Sequence, residues 1–184
     1  MNLSEQVRQC YSHIAEDPTR NAPFVVGRAL AEALNYPIDQ LPAVAVEAFC
    51  GVANLSVQAH MDPDDLVLDL GCGSGTDTLL AARRSNRVVG IDFSRSMLSR
   101  AREAVELAGL ARNVFLLHSQ AHQLPLLDAS VDVALANGLF NLNPQRQEIF
   151  AELARVLRAD GRVYAAELIL NEPIHTSDPI DWFR

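Results

Sequence analysis

The sequence predicts an α/β fold: a doubly wound, mainly parallel sheet with a helical segment in front of it. From residue 66 onward, apolar runs of strand length alternate with segments of helical periodicity, which is typical of a parallel sheet covered on both faces. Residues 1 to about 60 show helical spacing and no strand alternation. We therefore predict an N-terminal helical segment, 1–60, acting as a lid over a ligand site, and an α/β core, 61–184.

The composition fits a single domain of ordinary globular type. The 184 residues are 49% hydrophobic and 21% charged, which is enough to bury a core. The net charge is −8 without a cluster of Lys or Arg, so we expect no nucleic-acid partner. No apolar run approaches about 18 residues and none follows a basic start, so we expect a soluble, cytoplasmic protein without membrane contact.

The three cysteines, Cys10, Cys50 and Cys72, are widely separated and odd in number. This pattern indicates reduced thiols, with neither a disulfide framework nor the spacing of a metal site.

Three helices are predicted in the N-terminal segment. The first has its apolar residues at helical spacing and ends at Asp17-Pro18, and the second spans about Phe24 to Leu34. The third begins after Pro42, and Gly51 weakens its interior, which leaves its end open.

A glycine-rich loop is the centre of the α/β core. The apolar run 66–70 predicts a buried parallel strand, Gly71, Gly73 and Gly75 follow at alternate positions, and a helix is expected over 78–84. Glycines allow positive φ and a close approach of the backbone to a ligand, and a helix N-terminus offers free N–H groups. The sequence therefore predicts a ligand cradle.

Three ligands compete for this loop. A phosphate-binding loop would end in Gly-Lys-Ser/Thr, whereas here Gly75 is followed by Thr76, and the same threonine breaks the dinucleotide pattern. The pattern of S-adenosylmethionine (SAM) sites, acid-x-Gly-x-Gly-x-Gly, is met from Asp69 to Gly75. A carboxylate at the tip of a strand suits the ammonium of a methionyl group. A tight glycine turn without function is the alternative.

The remaining elements alternate in the same way. Ser94 is predicted to cap a helix that Gly109 ends, and Pro144 to start a helix that Gly161 follows. The predicted elements are a second strand over 87–91, a helix over 95–108, a third strand over 113–118, a fourth strand over 131–135, a helix from 144, and a fifth strand over 162–170.

The carboxyl ends of the strands are where an open parallel sheet binds its ligands. Asp92 ends the second strand and can accept both ribose hydroxyls of a nucleoside, or else it caps the next helix. Phe93 and Met97 flank it, so that either can pack on an adenine face, with core packing as the alternative.

Two loops supply the other candidates. After the third strand, Gln120 can accept a hydrogen bond from the adenine amino group beside the backbone of Ala121, whereas His122 would lie away from the reacting centre. After the fourth strand, Asn137 and Asn141 place amides beside the methionyl end, with turn formation as the alternative role. Asn137, Tyr11 and His175 are candidates for the site wall, and no residue is assigned as catalytic base.

With these motifs in order, the chain resembles class I SAM-dependent methyltransferases, whose fold is Rossmann-like. The resemblance covers about residues 61–170. It is nearest to the arsenite-methyltransferase-like branch of the small-molecule enzymes, through Gly75-x-Asp77-Thr78, the segment 136–144, and the upstream helical segment with Tyr11. The motifs shared with the whole class are 67–75, 88–92, 96–98, 121–125 and 156–162.

The resemblance implies SAM as cofactor and methyl transfer to a small-molecule substrate. The alternative is a non-catalytic or truncated SAM-fold module, or a partner subunit, that binds SAM without transferring its methyl group. A nicotinamide-dependent oxidoreductase is disfavoured by Asp69 and Thr76. The residues predicted to bind the cofactor are Asp69, Gly71, Cys72, Gly73, Gly75, Asp92, Phe93, Met97, Gln120, Ala121 and Asn137.

The sequence departs from that branch in three ways. Thr78 and Gly138 stand where arsenite enzymes are expected to carry thiols, so we predict that neither arsenite nor Zn²⁺ is a specific ligand. Gln120 stands where related enzymes usually carry aspartate. The family sheet has seven strands in the order 3-2-1-4-5-7-6. Here the tail 171–184 contains Pro173 and Pro179, which disfavour the last two strands.

We therefore predict that the fifth strand has an open edge. A second copy of the chain would cover it as a homodimer, with Trp182 and Phe183 contributing apolar contacts, or the missing strands would belong to a longer parent protein.

Overall fold

A five-stranded parallel sheet forms the centre of the structure, a computed structural model that describes residues 3–19, 22, 24–141 and 143–169. The strands are β1 (Leu66–Leu70), β2 (Arg87–Asp92), β3 (Val114–His118), β4 (Val131–Asn137) and β5 (Leu157–Ala166). Their order is β3-β2-β1-β4-β5, and each neighbouring pair is parallel. The predicted fold class and the order of these strands are confirmed. The direction of winding reverses beside β1, and such a switch point is where open α/β sheets bind ligands.

The helices fall into two groups. Those before residue 60 form the N-terminal segment, and the later ones connect parallel strands. No helix in the described part of the chain is long and apolar enough to cross a bilayer. The helices are α1 (Leu3–Glu16), α2 (Arg28–Ala33), α3 (Ala43–Glu47), α4 (Leu55–Gln58), α5 (Thr76–Ala82), α6 (Arg95–Leu107) and α7 (Arg146–Val156), with a 3-10 turn at Ile38–Gln40.

The N-terminal segment is less helical than predicted. The second helix begins at Arg28 because Gly27, at φ 76° and ψ −150°, lies outside the helical region. The third ends at Glu47, and the short α4 was not predicted. In the core, α5 begins two residues earlier than expected, directly after Gly75, whose φ is 91°.

The last crossover also differs from the prediction. The helix begins at Arg146, two residues after Pro144, and β5 begins at Leu157, five residues earlier than predicted. Leu157 pairs with Val131, and then the register jumps so that Arg162 pairs with Val133. Residues 158–161, which the sequence prediction placed before the strand, are thus an irregular, bulge-like part of the strand itself. The strand ends at Ala166. Leu170, its predicted end, lies outside the described residues.

Two apolar clusters cover the two faces of the sheet. On one face Val67 and Leu135 pack with α5, α6 and the N-terminal segment, including Phe49. On the other face Leu68 and Leu70 pack with α7. Successive residues of β1 alternate between the faces, so Asp69 points to the same face as Val67. The N-terminal segment and the only acid in β1 therefore lie on the same side of the sheet.

Candidate functional site

A pocket lies at the carboxyl ends of β1, β2 and β4. It contains about 1050 Å³ including its open mouth. Its walls come from the glycine loop, the ends of these strands, the loop after β3 and the N-terminal segment. Gly75 is the one predicted cofactor residue that does not line it. The predicted residues that do are Asp69, Gly71, Cys72, Gly73, Asp92, Phe93, Met97, Gln120, Ala121 and Asn137.

The three glycines of the loop have positive φ, but they serve different purposes. A Cβ atom at Gly75 would lie 3.2 Å from the Cβ of Ala101 and 3.3 Å from its Cα, so a glycine lets α5 approach α6 closely. At Gly73 an added Cβ would meet only the Met97 sulfur, at 4.0 Å, so the backbone there is open towards the pocket. Gly75 thus packs helices, whereas Gly73 faces the ligand space.

Asp92 holds the glycine loop and the start of α6 together. Its Oδ2 accepts from the Gly73 N–H at 2.9 Å, and its Oδ1 accepts from the Ser94 N–H at 2.7 Å. Burial raises the pKa of this carboxyl, and the N–H bonds oppose that rise. Ser94 accepts from the Met97 N–H, so the predicted cap is confirmed. Asp92 lines the pocket, and a carboxylate has about four lone-pair sites, so it can also accept a hydrogen bond from a ligand hydroxyl.

Asp69 is buried at the end of β1 and accepts a hydrogen bond from the Thr78 hydroxyl. Burial, together with the neighbouring Asp77, raises its pKa to about 8. Sequence reasoning had treated Thr78 as part of the branch motif and as the replacement of an expected thiol, not as a partner of Asp69. In the structure it is the hydrogen-bond donor that fixes the Asp69 carboxyl.

Asp77, in the first turn of α5, is a site residue that sequence reasoning missed. Its Oδ1 lies 2.8 Å from the Tyr36 hydroxyl, and its Oδ2 accepts from the Asn137 amide at 2.8 Å. Burial raises the pKa of this carboxyl as well. The available signal was an acid immediately after the glycine loop, at a helix start. Tyr36 carried no such signal, because it lies outside every predicted element.

Asn137 joins the end of β4 to the N-terminal segment. Its Nδ2 donates to the Ala53 carbonyl at 2.8 Å, and its Oδ1 accepts from the N–H groups of Val52 at 2.8 Å and Ala53 at 3.2 Å. The side chain lines the pocket, but these bonds engage it with the protein itself. Its contact with a cofactor stays a prediction.

The other candidates are divided between the pocket and its surroundings. Tyr11 lines the pocket, whereas Asn141 donates to the Leu168 carbonyl outside the lining. His122 does not line the pocket, and its buried Nδ1 has no hydrogen-bond partner among the described residues. His175, Trp182 and Phe183 lie outside the described residues.

Glu167, just after β5, is a second residue that sequence reasoning missed. Its carboxylate accepts from the N–H groups of Leu139 at 2.7 Å and Phe140 at 2.6 Å. It thereby fixes the loop that follows β4 and carries Leu139 in the pocket wall. No local pattern marks this residue, since its partners are 27 and 28 positions away.

The polar character of the pocket is acidic. Asp69, Asp77 and Asp92 line it, and no Lys, Arg or His is found among its described lining residues. No group of three or more His, Cys, Asp or Glu in the described part of the chain could hold a metal ion. Buried acids beside an open glycine backbone suit an organic ligand that carries positive charge. The residues present therefore fit the sulfonium and ammonium groups of SAM.

Known proteins resemble this chain over the same region. Residues 67–161, just over half of the chain, match a family model described as a methyltransferase domain. An arsenite methyltransferase of Halobacterium salinarum is 37% identical over 148 residues, which are 78% of this chain and 38% of that protein. A demethylmenaquinone methyltransferase of Lactobacillus johnsonii is 33% identical over 122 residues, 64% of this chain and 49% of that protein.

The solved structures agree. An arsenic (III) S-adenosylmethionine methyltransferase from Chlamydomonas reinhardtii has a TM-score of 0.63 at 26% identity, over 78% of this chain and 50% of that chain. This chain spans between 38% and 50% of the length of the curated relatives it matches. The resemblance drawn from the sequence motifs is confirmed. Because the methyltransferase-domain model matches more than half of its length, the chain belongs to the SAM-dependent methyltransferase family.

Proposed function

We propose that this chain transfers a methyl group from SAM to a small organic molecule. The observation that carries the proposal is the pocket itself: three buried carboxyls and an open glycine backbone, at the switch point of a sheet in a chain of this family. SAM, when bound, supplies a methyl carbon made electrophilic by a positively charged sulfur. Everything else must come from residues of the chain that bind, orient and exclude water.

The cofactor-binding roles follow the positions of the lining residues. Asp92 would accept from the ribose hydroxyls, and Asp69 would face the methionyl ammonium. Met97 is buried at the pocket wall and would pack on the adenine. The larger proposed set comprises these three residues with Gly71, Cys72, Gly73, Phe93, Gln120, Ala121 and Asn137.

The N-terminal segment would act as the lid and form the acceptor side. Ser4, Val7 and Tyr11 of α1 line the pocket together with Phe49. A lid of this kind excludes water and positions the acceptor, and positioning can supply much of the rate of an in-line displacement. Burial, with smaller contributions from neighbouring acidic groups, raises the pKa of Tyr11. Tyr11 is therefore neutral near pH 7, and we assign it to the wall of the site without a role as general base.

The acceptor is proposed to be organic, not arsenite. Two thiols, Cys50 and Cys72, line the pocket, and burial raises the pKa of both. Soft ions are bound by thiolates, which form least easily where the pKa is raised. Thr78, moreover, is engaged with Asp69. The Halobacterium relative carries the name arsenite methyltransferase. In this chain, however, the two pocket thiols form thiolates less easily than ordinary cysteines, which disfavours arsenite binding.

Calorimetric titration with SAM and its demethylated product tests the cofactor, and transfer of a labelled methyl group to a panel of small acceptors that includes arsenite tests the substrate. We expect SAM binding and transfer to an organic acceptor. Failure of the folded chain to bind SAM would refute the cofactor assignment. Submicromolar arsenite binding that disappears when Cys10, Cys50 and Cys72 are all replaced by Ser would refute the substrate class.

A second candidate function is a SAM-binding module completed by another chain. The observation in its favour is the outer edge of β5, which pairs with no strand in the described part of the molecule and leaves Val163 45% exposed. We propose that a second copy covers this edge, because unpaired edges promote association. Light scattering should then show a dimer. A stable monomer at high micromolar concentration would contradict the proposal.

A further inference from the structure

A chain of hydrogen bonds runs from the pocket into the N-terminal segment. It joins the side chains of Asn137, Asp77 and Tyr36 to the backbone carbonyl of Ala53. Tyr36 is 5% exposed and Asp77 is 7% exposed, so water has little access to these groups. The hydrogens in this chain can be counted, because every polar atom in it has a known number to give.

The Tyr36 hydroxyl has one hydrogen but two oxygen neighbours. It lies 2.8 Å from the Ala53 carbonyl oxygen and 2.8 Å from Asp77 Oδ1. The Asn137 amide nitrogen has two hydrogens and three oxygen neighbours: the Ala53 oxygen and Asp77 Oδ2, both at 2.8 Å, and the Tyr36 oxygen at 3.1 Å. Its two hydrogens are assigned to the two shorter contacts. An ionised Asp77 would leave one of the two oxygen–oxygen contacts of Tyr36 without a hydrogen, with lone pairs facing each other at hydrogen-bond distance.

A neutral Asp77 supplies the missing hydrogen. In that state Asp77 Oδ1–H donates to the Tyr36 oxygen, and Tyr36 donates to the Ala53 carbonyl. Asn137 donates to Asp77 Oδ2 and also to Ala53. All four of the contacts at 2.8 Å then contain one hydrogen each.

The surroundings of Asp77 favour the same state. Asp69 of β1 faces it, and Asp92 of β2 and Cys72 of the glycine loop face Asp69. Burial raises the pKa of both Asp69 and Asp77, and at Asp77 it outweighs the hydrogen bonds of Asn137 and Tyr36, which act in the opposite direction. His118 acts on Asp92, and no Lys, Arg or His side chain is among the influences on Asp77. Burial next to a second carboxyl favours the neutral form of a carboxylic acid.

We propose that Asp77 is held as a neutral carboxylic acid in the ligand-free protein, and that it is a positioning residue fastening the N-terminal segment to the pocket. Through Tyr36 and Asn137 it fixes the backbone at 52–53. Tyr36 in turn packs against Phe49, with ring centroids 4.7 Å apart, and Phe49 lines the pocket. This inference concerns the ligand-free chain and does not rest on the proposed methyl transfer.

The replacement Asp77→Asn tests the hydrogen count. An asparagine can present its NH₂ to the Tyr36 oxygen and its carbonyl to Asn137, which is the donor–acceptor pattern of the neutral acid. Infrared spectra of the ligand-free chain at pH 6 should show a protonated-carboxyl band, to which Asp69 with its raised pKa also contributes. Asp77→Asn should remove a component of this band that Asp92→Asn leaves in place. A wild-type spectrum without that band, or a band that Asp77→Asn leaves unchanged, would overturn the proposal.

Hydrogen exchange tests the positioning role. In Asp77→Ala, the amides of Val52 and Ala53 should exchange at least about tenfold faster, since a buried hydrogen-bonded link is lost. In Asp77→Asn, they should exchange within about threefold of the wild-type rate. Equal acceleration in both variants would mean that the acid acts through its charge and would refute the proposal. If Asp77→Ala does not fold, the comparison of Asp77→Asn with wild type remains decisive.

Discussion

The two sides of the pocket are built in different ways. On the side proposed for the cofactor (the cofactor side), Asp92 accepts from the N–H group of Gly73, 19 positions away in the glycine loop, and from that of Ser94 at the start of α6. On the side proposed for the acceptor (the acceptor side), Asn137 accepts from the N–H group of Val52 across 85 positions. The first side is set by backbone conformation and one acid, whereas the second depends on single side chains that tie distant segments together. Changes on the two sides should therefore have different consequences.

Gly75→Ala is expected to have the largest effect, on the stability of the cofactor side. Both Gly75 and Gly109 have positive φ, and an alanine at either costs about 1–2 kcal/mol for that conformation. Only at Gly75 would the new Cβ press on Ala101, which adds about 1–2 kcal/mol. Urea denaturation should thus show a loss of about 2–4 kcal/mol for Gly75→Ala.

Gly109→Ala is the matched control, because nothing lies within 4 Å of its added Cβ. If Gly75→Ala and Gly109→Ala lose the same free energy of unfolding, α5 and α6 have room for a Cβ at position 75, and the packing argument is wrong.

Asp92→Ala should weaken SAM binding at least about tenfold, because hydrogen bonds to a charged acceptor contribute roughly 1.5–3 kcal/mol each. The variant also leaves two N–H groups without their acceptor, so its folding must be checked by circular dichroism. Asp92→Asn keeps one accepting oxygen, so its affinity for SAM should lie between those of the wild type and Asp92→Ala. If folded Asp92→Ala binds SAM with unchanged affinity, Asp92 does not determine cofactor binding and the comparison of the two sides is wrong.

Glu167→Gln should affect the acceptor side alone. The substitution replaces one accepting oxygen of a carboxylate that receives the N–H groups of Leu139 and Phe140. We expect a loss of about 1 kcal/mol in local stability, seen as faster hydrogen exchange of these two amides. SAM affinity should change less than about threefold, as in the exposed control Glu106→Gln. A tenfold loss of affinity, equal to that of Asp92→Ala, would show that the two sides are not separable.

The smallest effect is expected for Glu152→Gln, away from both sides. Hydrogen bonds from the Arg155 side chain lower the pKa of Glu152 from 4.5 to about 2. Because the folded-state pKa is depressed, the stabilisation is present above pH 4.5 and is lost as the pH falls towards 2. The unfolding temperature of the wild type should therefore fall more steeply over this range than that of Glu152→Gln. If the unfolding temperatures of the two proteins fall equally with pH, the low pKa of Glu152 does not stabilise the fold.

The sequence predicted correctly those features that neighbouring residues determine. The strand before the glycine loop was predicted with its observed ends, Leu66 and Leu70, because a short apolar run between polar residues admits few other structures. The cap at Ser94 and the strand order were also predicted correctly. The start of β5 was not, because Asp160 and Gly161, in the irregular part of the strand, are residues that favour turns.

The sequence predicted only part of the acceptor side. Asn137 was singled out, but its partners could not be. Tyr36 and Asp77 are 41 positions apart, and Glu167 follows the last described strand. Such pairs depend on how the N-terminal segment packs against the sheet, and residue spacing alone does not encode that packing.

The placement of α1 has a consequence for the timing of ligand exchange. Three of its residues line the pocket, and it is held to α6 by contacts such as the hydrogen bond between the Ser12 and Ser94 hydroxyls, 2.9 Å long. If α1 is the lid that we propose, a ligand beneath it would enter or leave only when α1 detaches. We expect loosening of this helix to speed arrival and departure together, which shortens residence time and leaves the equilibrium affinity nearly constant.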